Sequence, residues 1–136
     1  NTDLAFSPNI IWASLFNYTV NENTSVDFIS KYIGKQFIDN SSSEDRMLDD
    51  YLVNNLRLSY EWDSKIFNTA KLTLQVNNLL NNEYVSNAWV YRFISDGWDP
   101  SGADHYVNAD SERGYNMAAY FPEATRNYLL GLTLGF

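Results

Sequence analysis

From Tyr128 to Phe136 the chain alternates without a break. Tyr128, Leu130, Leu132, Leu134 and Phe136 fall on one face, and Leu129, Gly131, Thr133 and Gly135 on the other. A period of two defines an extended strand. One face is wholly large and apolar, while the other is mostly small or polar. Such a strand needs an apolar layer on one side only, and this limits what the rest of the chain can build around it.

The preceding segments follow the same rule. Ile10–Val20 alternates, with Ile10, Trp12, Phe16, Tyr18 and Val20 on one face interrupted by Ser14. Asn21–Thr24 is a tight polar turn. Ser25–Gln36 places Val26, Phe28, Ser30 and Tyr32 on one face and Asp27, Lys31 and Lys35 on the other, among Ile29 and Ile33. Gly34 marks a bulge or a close backbone approach. Asp39–Asp50 reads as a long polar loop, too hydrophilic for a core. Tyr51–Trp62 sets Leu52, Leu56, Leu58, Tyr60 and Trp62, broken by Asn54, against Val53, Asn55, Arg57, Ser59 and Glu61. After the short turn Asp63–Thr69, the strand Ala70–Asn77 continues the pattern, which breaks over Asn77–Tyr84 and resumes to Phe93. Ile94–Asn116 is a second long polar loop. Met117–Phe136 forms the last strand, bent at Pro122. Connections thus alternate between short and long, so one end of the sheet carries tight turns and the other carries long loops.

Composition excludes several functions. The net charge of −8 offers no basic patch to phosphate, which argues against a nucleic-acid partner. With no Cys and a single His, nucleophilic and zinc chemistry have almost no material. No acid pair, Ser/His/Asp order or nucleotide-binding loop offers a catalytic site, and no cofactor is expected. No apolar run reaches the length of a membrane-spanning helix. The first residue is Asn, without a leader pattern, so the chain reads as the tail of a longer protein or a processed piece.

An antiparallel sheet of this kind can bury its apolar face in two ways. In a soluble sandwich it meets a second sheet. In a transmembrane barrel it meets lipid, and the mixed face lines the lumen. The barrel predicts strands of about 9–11 residues, aromatic girdles, short periplasmic turns and long outer loops. All four are present. With the C-terminus at the short-turn end, Tyr18, Phe28, Trp62 and Phe136 fall at that end of the apolar parity. Trp12, Tyr32 and Tyr128 fall toward the loops. The mixed face carries Asp27, Lys31, Lys35, Arg57, Glu61 and Lys71, a charge load suited to a wide, hydrated or plugged lumen.

Three segments resemble the C-terminal barrel end of the TonB-dependent outer-membrane receptors. Val76–Tyr84 (VNNLLNNEY) resembles the family's V-x-N-L-F-[DN]-x-x-Y, with Leu80 in place of the usual Phe. Tyr120–Phe136 resembles the closing strand, with the lead-in Phe121, Pro122, Ala124, Arg126 and a terminal Phe. Tyr32–Trp62 resembles a third pattern through Tyr32, Gly34, Phe37, Asp39, Leu48, Tyr51, Val53, Asn54 and Tyr60.

The resemblance covers nearly the whole chain. It implies an all-β antiparallel meander, residues 1–136, forming the last five strands of a 22-stranded transmembrane β-barrel from which the plug is absent. The strands would run Ile10–Val20 down, Ser25–Gln36 up, Tyr51–Trp62 down, Ala70–Phe93 up and Met117–Phe136 down. It further implies a transporter, not an enzyme, in the outer membrane of a Gram-negative bacterium, with a periplasmic C-terminus. The implied cargo is a ferric siderophore or haem-like iron complex. A glycan or peptide ligand fits the same family. A soluble β-sandwich carbohydrate-binding module is the alternative from another class. Implied partners are outer-membrane lipid, an extracellular small-molecule or glycan ligand, the TonB energy-coupling complex acting through the plug, and the outer-membrane assembly machinery, for which Phe136 is the signal.

Candidate ligand contacts in the outer loops are Trp89, Tyr91, Trp98, His105 and Tyr106, whose rings suit a sugar or an aromatic chelator. The plainer reading is loop packing and interfacial anchoring. Asp96, Asp99 and Asp104, with Asp110 and Glu112 nearby, are weak calcium candidates on their oxygen content. Their spacing matches no EF-hand, and a solvated acidic loop is the plainer explanation.

Overall fold

The computed structural model describes residues 2–136. The fold is all-β, with 56% of residues in strands, 4% in short helical turns, and antiparallel sheets. Ten strands follow in order: β1 (Ile11–Asn21), β2 (Thr24–Ile33), β3 (Gln36–Phe37), β4 (Met47–Leu48), β5 (Tyr51–Asp63), β6 (Thr69–Asn77), β7 (Val85–Phe93), β8 (Val107–Ala109), β9 (Tyr115–Pro122) and β10 (Asn127–Gly135). Two 3₁₀ turns, Glu44–Arg46 and Pro100–Gly102, lie in the long connections. No helix among the described residues is long and apolar enough to cross a membrane, which says nothing of strands.

The chain forms two compact units. One comprises the segments up to Ile10, Gly34–Tyr51 and Tyr84–Glu123. The other comprises Ile11–Ile33, Leu52–Glu83 and Ala124–Phe136. The second unit holds a five-stranded sheet in the order β1-β2-β5-β6-β10. The first holds the β3-β4 hairpin and the sheet β7-β9-β8. Pairing order repeats in the two units. The segments following β2 and preceding β5 pair as β3 and β4, and β6 and β10 have their counterparts in β7 and β9.

Four expectations need correction. Ser25–Gln36 ends as a strand at Ile33, although the Gly34 N–H still donates to the Ile10 carbonyl (2.9 Å), one step further along the β1–β2 register. A Cβ on Gly34 would lie 3.3 Å from that oxygen, so the close approach favours glycine. Ala70–Phe93 is two strands, β6 and β7. Met117–Phe136 is also two strands, β9 and β10, interrupted over residues 123–126 rather than bent. Finally, the polar connections are mostly exposed as expected, but they are not wholly solvated. Ile38 and Leu48 pack with Ala88, Val85 and Val90 as the first unit's apolar core, Val107 is buried on β8, and Arg46 is only 2% exposed.

The break in the β6–β7 segment has a local cause. Asn78 and Asn81 both have positive φ (50° and 57°), a region that asparagine tolerates better than most residues. Asn78 is buried and fully engaged. Its N–H donates to Asn55 Oδ1 (2.9 Å), and its Nδ2 donates to the carbonyls of Asn82 (2.8 Å) and Ala124 (3.2 Å). Its Oδ1 accepts the Asn82 N–H (3.0 Å). Asn81 Oδ1 accepts the Arg126 N–H (2.9 Å), and Asn82 Nδ2 donates to the Leu52 carbonyl (2.8 Å). The asparagine-rich motif is thus a tie between β5 and the segment leading into β10. Asn78→Ala removes the carboxamide bonds and leaves a β-carbon at positive φ. It is expected to cost about 2–4 kcal/mol, and denaturant unfolding of the full-length protein measures it. A loss under about 0.5 kcal/mol would show that the tie is dispensable.

Candidate functional site

In the second unit the register aligns chemistry as well as backbone. On one face Trp12 opposes Tyr32, Phe16 opposes Phe28 and Tyr18 opposes Val26. Across β5, β6 and β10, Leu56, Val76 and Tyr128 share a row, as do Leu58, Leu74 and Leu130, then Tyr60, Leu72 and Leu132, then Trp62, Ala70 and Leu134. Many large side chains of this face stand open, with Leu130 at 73% exposure, whereas Val26, Phe28, Leu56, Trp62 and Val76 are half-buried; burying each fully would be worth about 1.5–3 kcal/mol. Tyr128 caps one end of the β10 row, and Trp62 and Phe136 the other. Phe136 meets Phe67 edge-on at 5.2 Å. The short β1–β2 turn lies at the Trp62 end, because Asn23 exchanges hydrogen bonds with the Glu61 backbone (2.8 and 2.7 Å).

One polar row interrupts this face. Ser14 opposes Ser30 directly. The contacts Asn23–Glu61 and Asp27–Arg57 both join residues whose numbers sum to 84, the register that sets Ser30 beside Asn54. Ser30 and Asn54 are buried, and Ser14 Oγ is buried without a hydrogen-bond partner. The apolar rows from Trp62 to Leu56 therefore end at a polar boundary, beyond which come Trp12, Tyr32 and Leu52. Six residues at about 3.3 Å each give a band of roughly 20 Å along the strands.

The opposite face is a polar groove lined by Asn17, Asp27, Arg57, Lys71 and Gln75 with smaller hydroxyl residues. Side chains link across all five strands. Asn17 Nδ2 donates to Asp27 (2.6 Å), and Asp27 lies 3.8 Å from Arg57. Arg57 Nε donates to Gln75 (3.1 Å), Gln75 to Asn77 (2.6 Å), and Asn77 to Asn127 (2.9 Å). Glu61 stands directly opposite Lys71. Of the charges expected on the mixed face, Asp27, Arg57 and Lys71 line this groove, and Lys31 lies opposite Ala13 on the same face. Lys35 instead belongs to the first unit, 3.6 Å from Asp49.

The ligand-contact candidates lie in the first unit. Trp89 and Tyr91 stand on β7 on the parity of Phe93, opposite Ala119 and Met117 of β9. Tyr91 stacks on Phe93 (5.9 Å) and Phe93 on Tyr115 (5.8 Å), forming an aromatic ladder with Tyr91 well exposed. Trp98 is exposed in the β7–β8 connection. His105 and Tyr106 meet ring to ring at 4.0 Å. Asp99 and Asp104 are occupied locally. Asp99 accepts from the Ser101 hydroxyl and N–H (2.7 and 2.9 Å), which holds its carboxyl below the usual range, and Asp104 accepts the Tyr106 N–H (3.0 Å). Among the described residues no group of three or more His, Asp or Glu is disposed to hold a metal ion, so the calcium candidates Asp96, Asp99 and Asp104 do not converge.

Sequence reasoning missed the densest polar cluster. Arg46 reaches Asp39 (2.8 Å), Asp110 (3.6 Å) and Glu112 (3.8 Å), and donates to Asn116 (3.2 Å) and Ser41 (2.8 Å). Arg92 donates to Asp110 (2.6 Å) and approaches Glu112 (3.3 Å). The Asp110 side chain is fully buried. Burial pushes its carboxyl up, but bonds from the Gly114 and Glu112 N–H groups and the Arg92 guanidinium outweigh that and hold it below its ordinary value. Asp39 is lowered in the same way. Burial opposes the Ser41 hydrogen bonds and the Arg46 charge, and they prevail.

Comparison of the chain with protein-family models, characterised proteins and solved structures gives no match.

Both carboxyls are depressed in the folded state, so their contribution is complete above the ordinary carboxylate value of 3.8 and is lost as pH falls through their lower folded values. The first unit is expected to hold its packing down to about pH 4 and loosen below it. Tryptophan fluorescence of Trp89 and Trp98 against pH checks this, and loosening already at about pH 6 would assign the effect to other groups.

Proposed function

We propose that the chain is the C-terminal part of the β-barrel of a TonB-dependent outer-membrane receptor, taking part in energised uptake of a scarce, large ligand such as a ferric siderophore or haem-like iron complex. One observation carries the reading. The five-stranded sheet carries on one face a largely exposed apolar band with aromatic residues at both ends, while its other face is mixed, with a hydrogen-bonded polar groove beside Ile11, Leu15, Ile29 and Leu129. A lipid-facing barrel wall has this division. A soluble sandwich would instead need a second sheet against the apolar band. The motif segments add support, since VNNLLNNEY forms a built structural tie rather than a random loop.

In this reading the polar groove faces a hydrated or plugged lumen, and the ligand contacts come from residues of the first unit. The exposed Trp89, Tyr91, Trp98 and Tyr106 suit a glycan as well as an iron chelate, because both present faces to stack on. Energy coupling would act through a plug supplied by the rest of the protein, and Phe136 would serve assembly.

The full-length protein is expected to partition with outer membranes, to need detergent for extraction and to migrate faster on gels unless heated. A monomer that stays soluble without detergent would overturn the barrel assignment. In cells, Trp98→Ala and Trp89→Ala are expected to reduce uptake of the cognate ligand by roughly tenfold, in line with about 1–1.5 kcal/mol per aromatic contact. Unchanged uptake for either variant would remove that residue from the ligand site.

A further inference from the structure

The Arg46 cluster joins parts of the chain far apart in sequence. Asp39 and Ser41 follow β3, and Arg46 ends the first 3₁₀ turn. Arg92 lies near the end of β7, and Asp110 and Glu112 form the turn between β8 and β9. Two guanidiniums thus face three carboxylates, those of Asp39, Asp110 and Glu112. Asp45 adds a second connection, accepting both the N–H and the hydroxyl of Ser111 (2.7 and 2.6 Å).

The polar groups of Arg46 and Asp110 are engaged by other parts of the protein. Arg46 is the largest fully enclosed side chain among the described residues. The geometry of the cluster is also tightly set. A Cβ on Gly114 would lie 2.9 Å from Asp110 Oδ2 and 3.0 Å from Arg92 Nη2. Departure of either loop strips Arg46 of Asp110, Glu112 and Asn116 and leaves it only Asp39 and Ser41 of its own segment, while Asp110 keeps Arg92 and its local N–H donors. Removing one partner of such a pair is far more costly than the net worth of the pair itself.

We propose that Arg46 and Asp110 form a latch that makes residues 39–46 and 110–116 a single mechanical element, which opens and closes as one. This inference does not rest on the transporter reading. It assigns to the long connections a shared opening equilibrium instead of two independent loop motions. Anything that moves the β8–β9 turn must therefore also release the β3–β4 connection.

Hydrogen exchange on the full-length protein tests the latch, comparing the parent with Arg46→Met and Asp110→Asn. Each substitution lies in one loop. Each is expected to raise exchange in both loops, by on the order of a hundredfold, while Leu72–Gln75 in the other unit stays protected. The double variant is expected to fall well short of the product of the two single effects, since the two residues share one network. Faster exchange confined to the substituted loop, or additive effects in the double variant, would overturn the proposal. Should either substitution prevent folding, Glu112→Gln provides the milder version. It weakens contacts of a half-exposed group and is expected to raise exchange in both loops by about three- to tenfold, and a change confined to residues 110–116 would again overturn it.

Discussion

The antiparallel register of the five-stranded sheet is the constraint on which the rest depends. Along β1–β2, β5–β6 and β6–β10, even-numbered residues oppose even and odd oppose odd, apart from the bulged Asn21–Thr24 pair at the first turn. A slip of one residue between β6 and β10 would bring Leu130 and Leu132 beside Thr73 and Lys71 instead of Leu74 and Leu72. Because side chains alternate every residue, such a slip would mix the two faces completely. The correct register instead collects the leucines and aromatic residues on one side and lets Asn17, Asp27, Arg57 and Gln75 find one another on the other. The polar linkage and the apolar band are consequences of one set of backbone bonds.

Where period-two alternation persists, the sequence is legible. β1 and β5 fall within one or two residues of the strands expected from the pattern, β10 covers the unbroken alternation from Tyr128 though not the expected start at Met117, and the tight turn after β1 lies where polar residues cluster. Gly34 makes the close approach that its place in the pattern implies. What the pattern does not reveal is burial achieved by charge. Residues 39–50 and 94–116 contain no period and many acids, which reads as solvated loop, yet Arg46 and Asp110 lie among the most enclosed side chains. Arg46 is a lone base amid acids at Asp39, Glu44 and Asp45. That imbalance is the available signal, but its partners on the β8–β9 turn come from more than sixty residues away. The split of the final strand is likewise hidden. Pro122 announces a bend, whereas the break is set by asparagines on another segment that capture the backbone at Ala124 and Arg126.

The two units solve the same problem by different means. The first has a small apolar core, centred on Ile38, Leu48 and Ala88, which by itself would bury little area. A buried ionic cluster adds little net stability over apolar side chains of the same size, but it penalises every arrangement in which its members are separated. Its contribution is therefore to uniqueness, fixing which loop meets which. The asparagine tie does the same in the second unit with neutral groups, because a buried carboxamide with all its bonds made tolerates few alternatives.

The distribution of polar groups also bears on what the sheet can face. Charge on the groove side is nearly balanced, and the linkage from Asn17 to Asn127 satisfies much of its hydrogen-bonding capacity without an outside partner. Such a wall tolerates water and does not demand a tightly packed neighbour. The apolar side is the reverse. From Trp62 to Leu56 its rows carry no charged residue, and Ser14, Ser30 and Asn54 then mark a boundary as buried polar groups beside Trp12 and Tyr32. The apolar side therefore needs a cover that the five strands do not themselves supply, whereas the groove side largely satisfies its own polar groups.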